Sequence, residues 1–355
     1  MSFKVAFFDA KKYDIESFLF AKEKEENKKY AFEFKFFNER LSFDNVILTK
    51  GYDAVCIFVN DNITKEVIEE LYQNKVKLIA LRCAGYNNVD FQEAFEKIHI
   101  VRVPEYSPYA VAEYTVSLML ALNRKIHKAY GRTRDANFAL SGLMGFDMNE
   151  KTVGIIGTGK IAKVVMKILK GYGMNIMAYD IFPDKEFEAE LGFKYVDINT
   201  LYAESDIISL HCPLNNNTEY IINAESISKM KDGVMIINTG RGKLINTKEL
   251  IEGLKSQKIG SAGLDVYEEE SNYFFEDKSD MIMTDDLLSR LLTFGNVIVT
   301  SHQAFFTKEA LNNIADITLS NMREFIDDIR LKNEICYRCD KFNGICKGEN
   351  DIKCF

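Results

Sequence analysis

The sequence predicts an α/β protein made of two doubly wound parallel-sheet domains. Three observations carry that expectation. Short apolar runs alternate with stretches of helical period along the chain, the pattern of strands joined by crossover helices. At 355 residues the chain suits about two domains, each with its own core. Neither a fixed-period repeat nor a low-complexity segment interrupts it.

Taken in order, the first strands are expected at Lys4–Phe8, Phe32–Phe36, Ala54–Val59 and Lys77–Leu81. Helices are expected from about Tyr13 to Lys28 and from Thr64 to Gln73, which closes one compact unit. Pro104 and Pro108 then bracket Pro-Glu-Tyr-Ser-Pro ahead of a long apolar helical stretch, Tyr109 to about Lys128. Ser107 reads as its N-cap and Pro108 as its first helical residue, so the chain is expected to cross between domains here. Val111, Ala112, Val116, Leu118, Met119, Leu120 and Leu122 do not fit on one stripe of that helix, which leaves burial between domains and a subunit interface both open.

A second, larger series of strands follows at Thr152–Ile156, Asn175–Tyr179, Asp206–Leu210, Val234–Asn238, Gly260–Asp265 and Val297–Thr300. The helical stretch Thr307–Leu331 has no strand after it and would pack back on the first domain, placing a second crossing near Thr300–Phe305. The expected division is therefore 1–103 and 301–332 for a discontinuous first domain, 104–300 for an inserted second one, and 333–355 for a cysteine-rich tail.

Charge narrows the function classes. Lys plus Arg number 45 and Asp plus Glu 53, a net charge of −8, which argues against nucleic acid or an anionic membrane as partner. No stretch approaches the roughly 18 apolar residues of a spanning helix. Behind Met1 the first apolar run reads as a strand rather than a signal peptide, so a cytoplasmic location is expected. Seven cysteines, an odd number, do not suggest a full disulfide framework.

The segment Thr152-Val-Gly-Ile-Ile-Gly-Thr-Gly-Lys-Ile-Ala162 holds Gly157-x-Gly159-x-x-Ala162 directly after a strand and opening a helix, Ile161–Lys170. Gly157 permits the tight turn, Gly159 lets backbone amides approach a pyrophosphate, and a small Ala162 allows helix to pack on strand. The next strand ends in Asp180, an acid placed to accept from a ribose 2′-hydroxyl and to repel a 2′-phosphate. The combination points to a dinucleotide, NAD rather than NADP; a glycine turn without a ligand is the bland alternative. Two more strand ends, at His211-Cys-Pro213 and Asn238-Thr-Gly-Arg-Gly242, face the crevice where open α/β sheets bind ligands. An ordinary strand-to-loop transition looks similar, but Arg241 between two glycines is an awkward place for a merely solubilising charge.

A nicotinamide leaves the protein to hold a substrate and manage one proton, which calls for a fixed cation and an acid/base titrating near neutral pH. Of four histidines, His127 and His99 read as structural, and His211 as lining the cofactor. His302, after the last strand, is favoured over His211. A nearby acid would fix its tautomer and favour the imidazolium. Asp265, Glu268, Glu269 and Glu270 are all candidates, a solvated acidic loop is the plain alternative, and composition does not choose among them.

These segments, with Leu81-Arg-Cys-Ala-Gly-Tyr-Asn-Asn-Val-Asp90, Val103-Pro-Glu-Tyr-Ser-Pro108 and Ser301-His-Gln-Ala-Phe305, resemble the D-isomer-specific 2-hydroxyacid dehydrogenase family, and in it the D-lactate dehydrogenases, over about residues 1–332. The resemblance implies a Rossmann NAD-binding domain inserted into a discontinuous, flavodoxin-like catalytic domain. It implies reversible reduction of pyruvate to D-lactate by NADH, with Arg241 binding the substrate carboxylate and carbonyl, His302 as proton donor and Glu270 as its paired carboxylate. Substrate contacts are implied at Ala84, Gly85 and Tyr106. Cofactor contacts are implied at Gly157, Gly159, Lys160, Ile161, Asp180, Cys212, Pro213, Thr218, Thr239, Gly240 and Asp265, and a homodimer or homotetramer as the assembly. Gly240, Ser301 and Ala162 depart from the family's usual residues without removing a reacting group.

Two rival readings stand beside this one: a reductase for bulkier 2-oxo acids such as phenylpyruvate or 2-oxoisocaproate, and a non-enzymatic NADH-sensing scaffold. The tail lies beyond the resemblance. Cys336, Cys339, Cys346 and Cys354 could bind zinc or an iron–sulfur cluster, although reduced, unliganded thiols are the default reading.

Overall fold

The computed structural model describes residues 2–270 and 273–337, so Cys339, Cys346 and Cys354 lie outside the described residues. The chain divides into two compact units, Met1–Ser107 with the segment from Thr307 onward, and Pro108–Phe306. The crossings fall at Ser107/Pro108 and Phe306/Thr307, a few residues beyond the expected cuts after residues 103 and 300. One reason lies in Asp265, whose carboxylate accepts the amides of Gln303 and Ala304 and so ties the residues after the last strand to the second unit.

The first unit carries β1 (Phe3–Phe7), β2 (Phe32–Phe36), β3 (Ala54–Ile57), β4 (Leu78–Leu81) and β5 (His99–Val101), all parallel, in the order β2-β1-β3-β4-β5. Every residue of β3 and β4 is buried, as expected of central parallel strands covered on both faces. The stretch expected as one helix from Tyr13 to Lys28 is two, Lys12–Lys22 and Glu25–Lys28. The Asn27 side-chain amide donates to the Ala21 carbonyl at 2.7 Å and closes the turn between them, a bond no periodicity announces. The last helix, Lys308–Ile326, is capped by Thr307 and stops short of Leu331 at Asp328, which stands at φ +55. Beyond it Glu334 bridges Val101 in antiparallel sense and covers the edge of β5.

The second unit carries β6 (Thr152–Ile156), β7 (Asn175–Tyr179), β8 (Lys194–Tyr195), β9 (Ile207–Leu210), β10 (Val234–Asn238), β11 (Ile259–Leu264) and β12 (Val297–Val299). These are parallel in the order β12-β11-β10-β9-β6-β7-β8. Alternate residues feed two cores: Val234 and Ile236 one side, Met235 and Ile237 the other. Each such side chain contributes roughly 1.5–3 kcal/mol by leaving water.

The helix expected over Tyr109–Lys128 is Pro108–Arg124 followed by Ile126–Arg134, broken at Lys125 with φ +51. Its apolar residues do not require a partner to be buried. Ala112, Val116, Leu118, Met119 and Leu122 all join the core of their own unit, with Leu120 packed against it, because the helix is enclosed by the helix Lys160–Gly171 and by β10 and β11. No helix among the described residues is long and apolar enough to cross a membrane.

Candidate active site

The strand order of the second unit reverses between β6 and β9, and their carboxyl ends open the crevice typical of such a switch point. Gly157 ends β6 at φ +90, and a Cβ there would lie 2.5 Å from the Cys212 backbone, so glycine is required on two counts. Gly159 caps the helix Lys160–Gly171, with nothing within 4 Å of the place a Cβ would take. Open space in front of a helix start with unsatisfied backbone N–H groups suits an anion. Lys160 is exposed and Ile161 half-buried on the first turn, while Ala162 is wholly buried against the sheet.

Asp180 follows β7 and is built into the same turn. Its Oδ2 accepts the Thr158 amide at 2.6 Å and the Thr158 hydroxyl at 2.8 Å, and its Oδ1 accepts the Phe182 amide at 2.9 Å. Partial burial works to raise its pKa, but the Phe182 and Thr158 bonds outweigh it and hold the carboxyl below its ordinary value. Asp180 is thus an ionised acceptor at the strand end. The Tyr195 hydroxyl donates to Thr158 at 2.9 Å and fixes it.

Arg241 follows β10 in a turn shaped by the buried Asn238, whose side chain accepts from the Gly240 amide at 3.0 Å and donates to the Arg241 carbonyl at 2.9 Å. A Cβ on Gly242 would lie 2.1 Å from the Tyr267 carbonyl, so this turn sits directly on the loop after β11. Among the described residues the Arg241 guanidinium makes one hydrogen bond, to the Gly240 carbonyl at 2.8 Å, and no ion pair. It is a half-buried cation held ready for an anion.

His302 follows β12 at φ +53, its amide donating to the Asp265 carbonyl at 2.7 Å. Its Nδ1 lies 2.8 Å from Glu270 Oε1, while Glu270 Oε2 accepts the Tyr267 amide at 3.1 Å. Asp265 ends β11 fully buried, and its carboxylate accepts from the Thr300 hydroxyl at 2.6 Å and from the Gln303 and Ala304 amides at 2.9 and 2.8 Å. Burial pushes its pKa up, against the pull of those three bonds. The second unit therefore brings Arg241, Glu270 and His302 to the carboxyl ends of three neighbouring strands, β10, β11 and β12.

A family model for the NAD-binding domain of D-isomer-specific 2-hydroxyacid dehydrogenases matches residues 116–304, more than half of the 355-residue chain. The chain belongs to that family. A 2-hydroxyacid dehydrogenase homolog from Haemophilus influenzae is 53% identical over 320 residues, covering 90% of this chain and 95% of that one. The D-lactate dehydrogenase of Escherichia coli is 49% identical over 333 residues, covering 94% of this chain and 99% of that one. The solved pyruvate reductase of Chlamydomonas reinhardtii superposes with a TM-score of 0.88 at 42% identity, over 94% of this chain and 98% of that one.

As a member of this dehydrogenase family the protein is an oxidoreductase with NAD as its cofactor. The Gly157 turn, the open helix start and the ionised Asp180 fit that group. Around the same crevice, Thr239 shares a hydrogen bond with Thr115 at 2.9 Å, and Thr218 donates to the Pro213 carbonyl at 2.5 Å. Cys212 is a free, half-buried thiol that burial pushes up to about 11, so it is neutral. His211 bonds Ser209 at 2.9 Å, and burial pushes it down to about 4, which keeps it an uncharged imidazole at neutral pH.

Ala84, Gly85 and Tyr106 belong to the first unit. The Ala84 carbonyl accepts from Arg102 at 2.7 Å, the Gly85 carbonyl from the Cys83 thiol at 3.3 Å, and the Tyr106 carbonyl from Asn313 at 2.6 Å. His99 pairs with Glu334 at 2.6 Å, and Cys336 is a free, buried thiol. No group of three or more metal-binding side chains occurs among the described residues. Sequence reasoning gave no role to Asn238 or Thr158, although both stand inside the motifs it singled out: the polar end of an apolar strand and the middle of a glycine turn are the signals available.

Proposed function

We propose that this chain is an NAD-dependent D-lactate dehydrogenase, reducing pyruvate reversibly to D-lactate. The observation that carries the proposal is Arg241, whose guanidinium has no ion pair among the described residues, together with a carboxylate-backed imidazole, His302 with Glu270, on neighbouring strand ends of one NAD-binding unit. The names of relatives in Escherichia coli and Chlamydomonas reinhardtii support the choice of pyruvate and lactate.

In this reading Arg241 takes the planar carboxylate of the 2-oxo acid with its fork of N–H donors and polarises the adjacent carbonyl. A carboxylate only accepts, so His302 Nδ1 donates to Glu270 and keeps its proton there, which leaves Nε2 as the nitrogen that can serve the substrate. Protonated at both nitrogens, His302 gives its Nε2 proton to the carbonyl oxygen as that oxygen gains charge. NADH, when bound, supplies the hydride that C2 receives. Gly157, Gly159, Lys160, Ile161, Asp180, Cys212, Pro213, Thr218, Thr239, Gly240 and Asp265 would hold it, and the backbone at Ala84 and Gly85, with Tyr106, would contact the substrate.

A homodimer or homotetramer in the cytoplasm belongs to the same proposal. Exposed Tyr130, Phe138, Leu140 and Met144 of the second unit supply apolar surface for a second copy, and light scattering reads the copy number. The function itself is tested by rates of NADH and NADPH oxidation over 2-oxo acids of increasing side-chain size, with chiral analysis of the product. Pyruvate with NADH should be fastest and yield D-lactate. Faster turnover of phenylpyruvate or 2-oxoisocaproate, or no oxo-acid-dependent oxidation, would overturn it.

A further inference from the structure

We propose that Phe275 is a positioning residue for His302, packing its ring against the imidazole while Glu270 holds the Nδ1 edge. The proposal rests on the reading of His302 as proton donor. The Phe275 and His302 ring centroids lie 5.8 Å apart with planes inclined by 38°. Glu270 organises both contacts. Its carbonyl accepts the amides of Tyr273 and Phe274 at 3.0 and 2.8 Å, so the turn that presents its carboxylate to the ring edge also brings the Phe275 ring against the imidazole in a tilted contact. Phe274 anchors that turn in the core, and Phe275 packs half-buried against the same cluster.

Backbone conformation points the same way. Phe275 stands at φ +67 and His302 at φ +53, a region that bulky L-residues enter only when their surroundings over-determine it. Two such residues in ring contact mark a geometry that is held, and strained positions of this kind gather at active sites.

An aromatic face attracts the imidazolium more than the neutral ring, and apolar cover removes water from one side of it. Among the described residues, two carboxylates act on the ring: Glu270, on the loop after β11, which is bonded to Nδ1, and Asp265, at the end of that strand, which interacts with it through charge. Tyr114, on the helix Pro108–Arg124, adds an uncharged phenol toward Thr300 and Gln303. Phe275 thus supports the protonated form that the reduction uses, without touching the substrate.

The test compares Phe275→Leu, Phe275→Tyr and His302→Gln in pyruvate reduction by NADH. Phe275→Leu should lower kcat about tenfold, leave the pyruvate KM within about twofold, and move the alkaline limb of the pH–rate profile to lower pH. Phe275→Tyr keeps the ring and should restore both readouts. A Phe275→Leu enzyme with wild-type kcat and an unmoved limb, or a Phe275→Tyr enzyme as impaired as Phe275→Leu, would overturn the proposal. Lost turnover in His302→Gln beside an unaffected Phe275→Leu sinks this proposal alone, whereas wild-type turnover in His302→Gln removes the proton-donor reading beneath it.

Discussion

His302 and Glu270 meet edge to edge, Nδ1 to Oε1 at 2.8 Å, with the other Glu270 oxygen tied to the Tyr267 amide. A carboxylate held at both oxygens keeps the imidazole in one tautomer and stabilises its cation. Glu270→Gln keeps the shape and removes the charge. Charge-assisted bonds of this kind contribute roughly 1.5–3 kcal/mol, so kcat/KM for pyruvate should fall about ten- to a hundredfold, most steeply at alkaline pH. A pH profile of kcat/KM identical to that of the parent enzyme would show that Glu270 does not act through His302.

Arg241 sits in a turn defined by Asn238 and by the close approach of Gly242 to Tyr267. Lysine there keeps the charge but not the planar fork. Arg241→Lys should raise the pyruvate KM and lower kcat, together reducing kcat/KM by about a hundredfold, while NADH affinity measured by fluorescence stays near the parent value. Unchanged pyruvate kinetics would remove Arg241 from the substrate site.

The two glycines of the cofactor turn should separate stability from binding. Gly157→Ala places a Cβ against the Cys212 backbone at φ +90 and should lower both Tm and NADH affinity. Gly159→Ala meets nothing within 4 Å and leaves the backbone at φ −65, so Tm should not change. In the proposed cofactor site that open space takes the pyrophosphate, so the added methyl should make NADH bind at least about tenfold more weakly. Thermal shift with and without NADH checks both; equal NADH affinity in Gly159→Ala and the parent would displace the cofactor from that turn.

Asp61 gives the first unit a pH signature. Burial pushes its carboxyl up to about 6, against Arg82 and the Phe58 and Leu41 amides that it accepts. Between the ordinary carboxylate value of 3.8 and about 6, the folded chain binds a proton that the unfolded chain has lost. Stability therefore falls as pH rises through that window, by up to roughly 3 kcal/mol from this group. Asp61→Asn should flatten the slope of unfolding free energy between pH 4 and 6 relative to the parent, and denaturant titrations at both ends measure it. Parallel slopes in the two proteins would contradict the assignment.

Much of the fold could be read from periodicity because buried parallel strands are short apolar runs: Thr152–Ile156, Asn175–Tyr179 and Val234–Asn238 form over the expected residues. The two-residue β8 has no period to detect, and the breaks at Lys24 and Lys125 involve neither glycine nor proline. The glycine turn and Asp180 were legible because their spacing is local. Composition could not choose among Asp265, Glu268, Glu269 and Glu270, and only the family resemblance singled out Glu270. The structure supplies the physical distinction: Asp265 is buried and committed to three donors, whereas Glu270 turns one oxygen to the imidazole. The contact of Phe275 with His302 joins two loops distant in sequence and leaves no trace in either.

The most direct test of the central claim is the steady-state rate of pyruvate reduction by NADH in His302→Gln, alongside NADH binding in the same variant. The expected result is a loss of about a hundredfold or more in kcat with NADH affinity retained, as for a missing general acid in an intact cofactor site. Turnover close to that of the parent enzyme would contradict it.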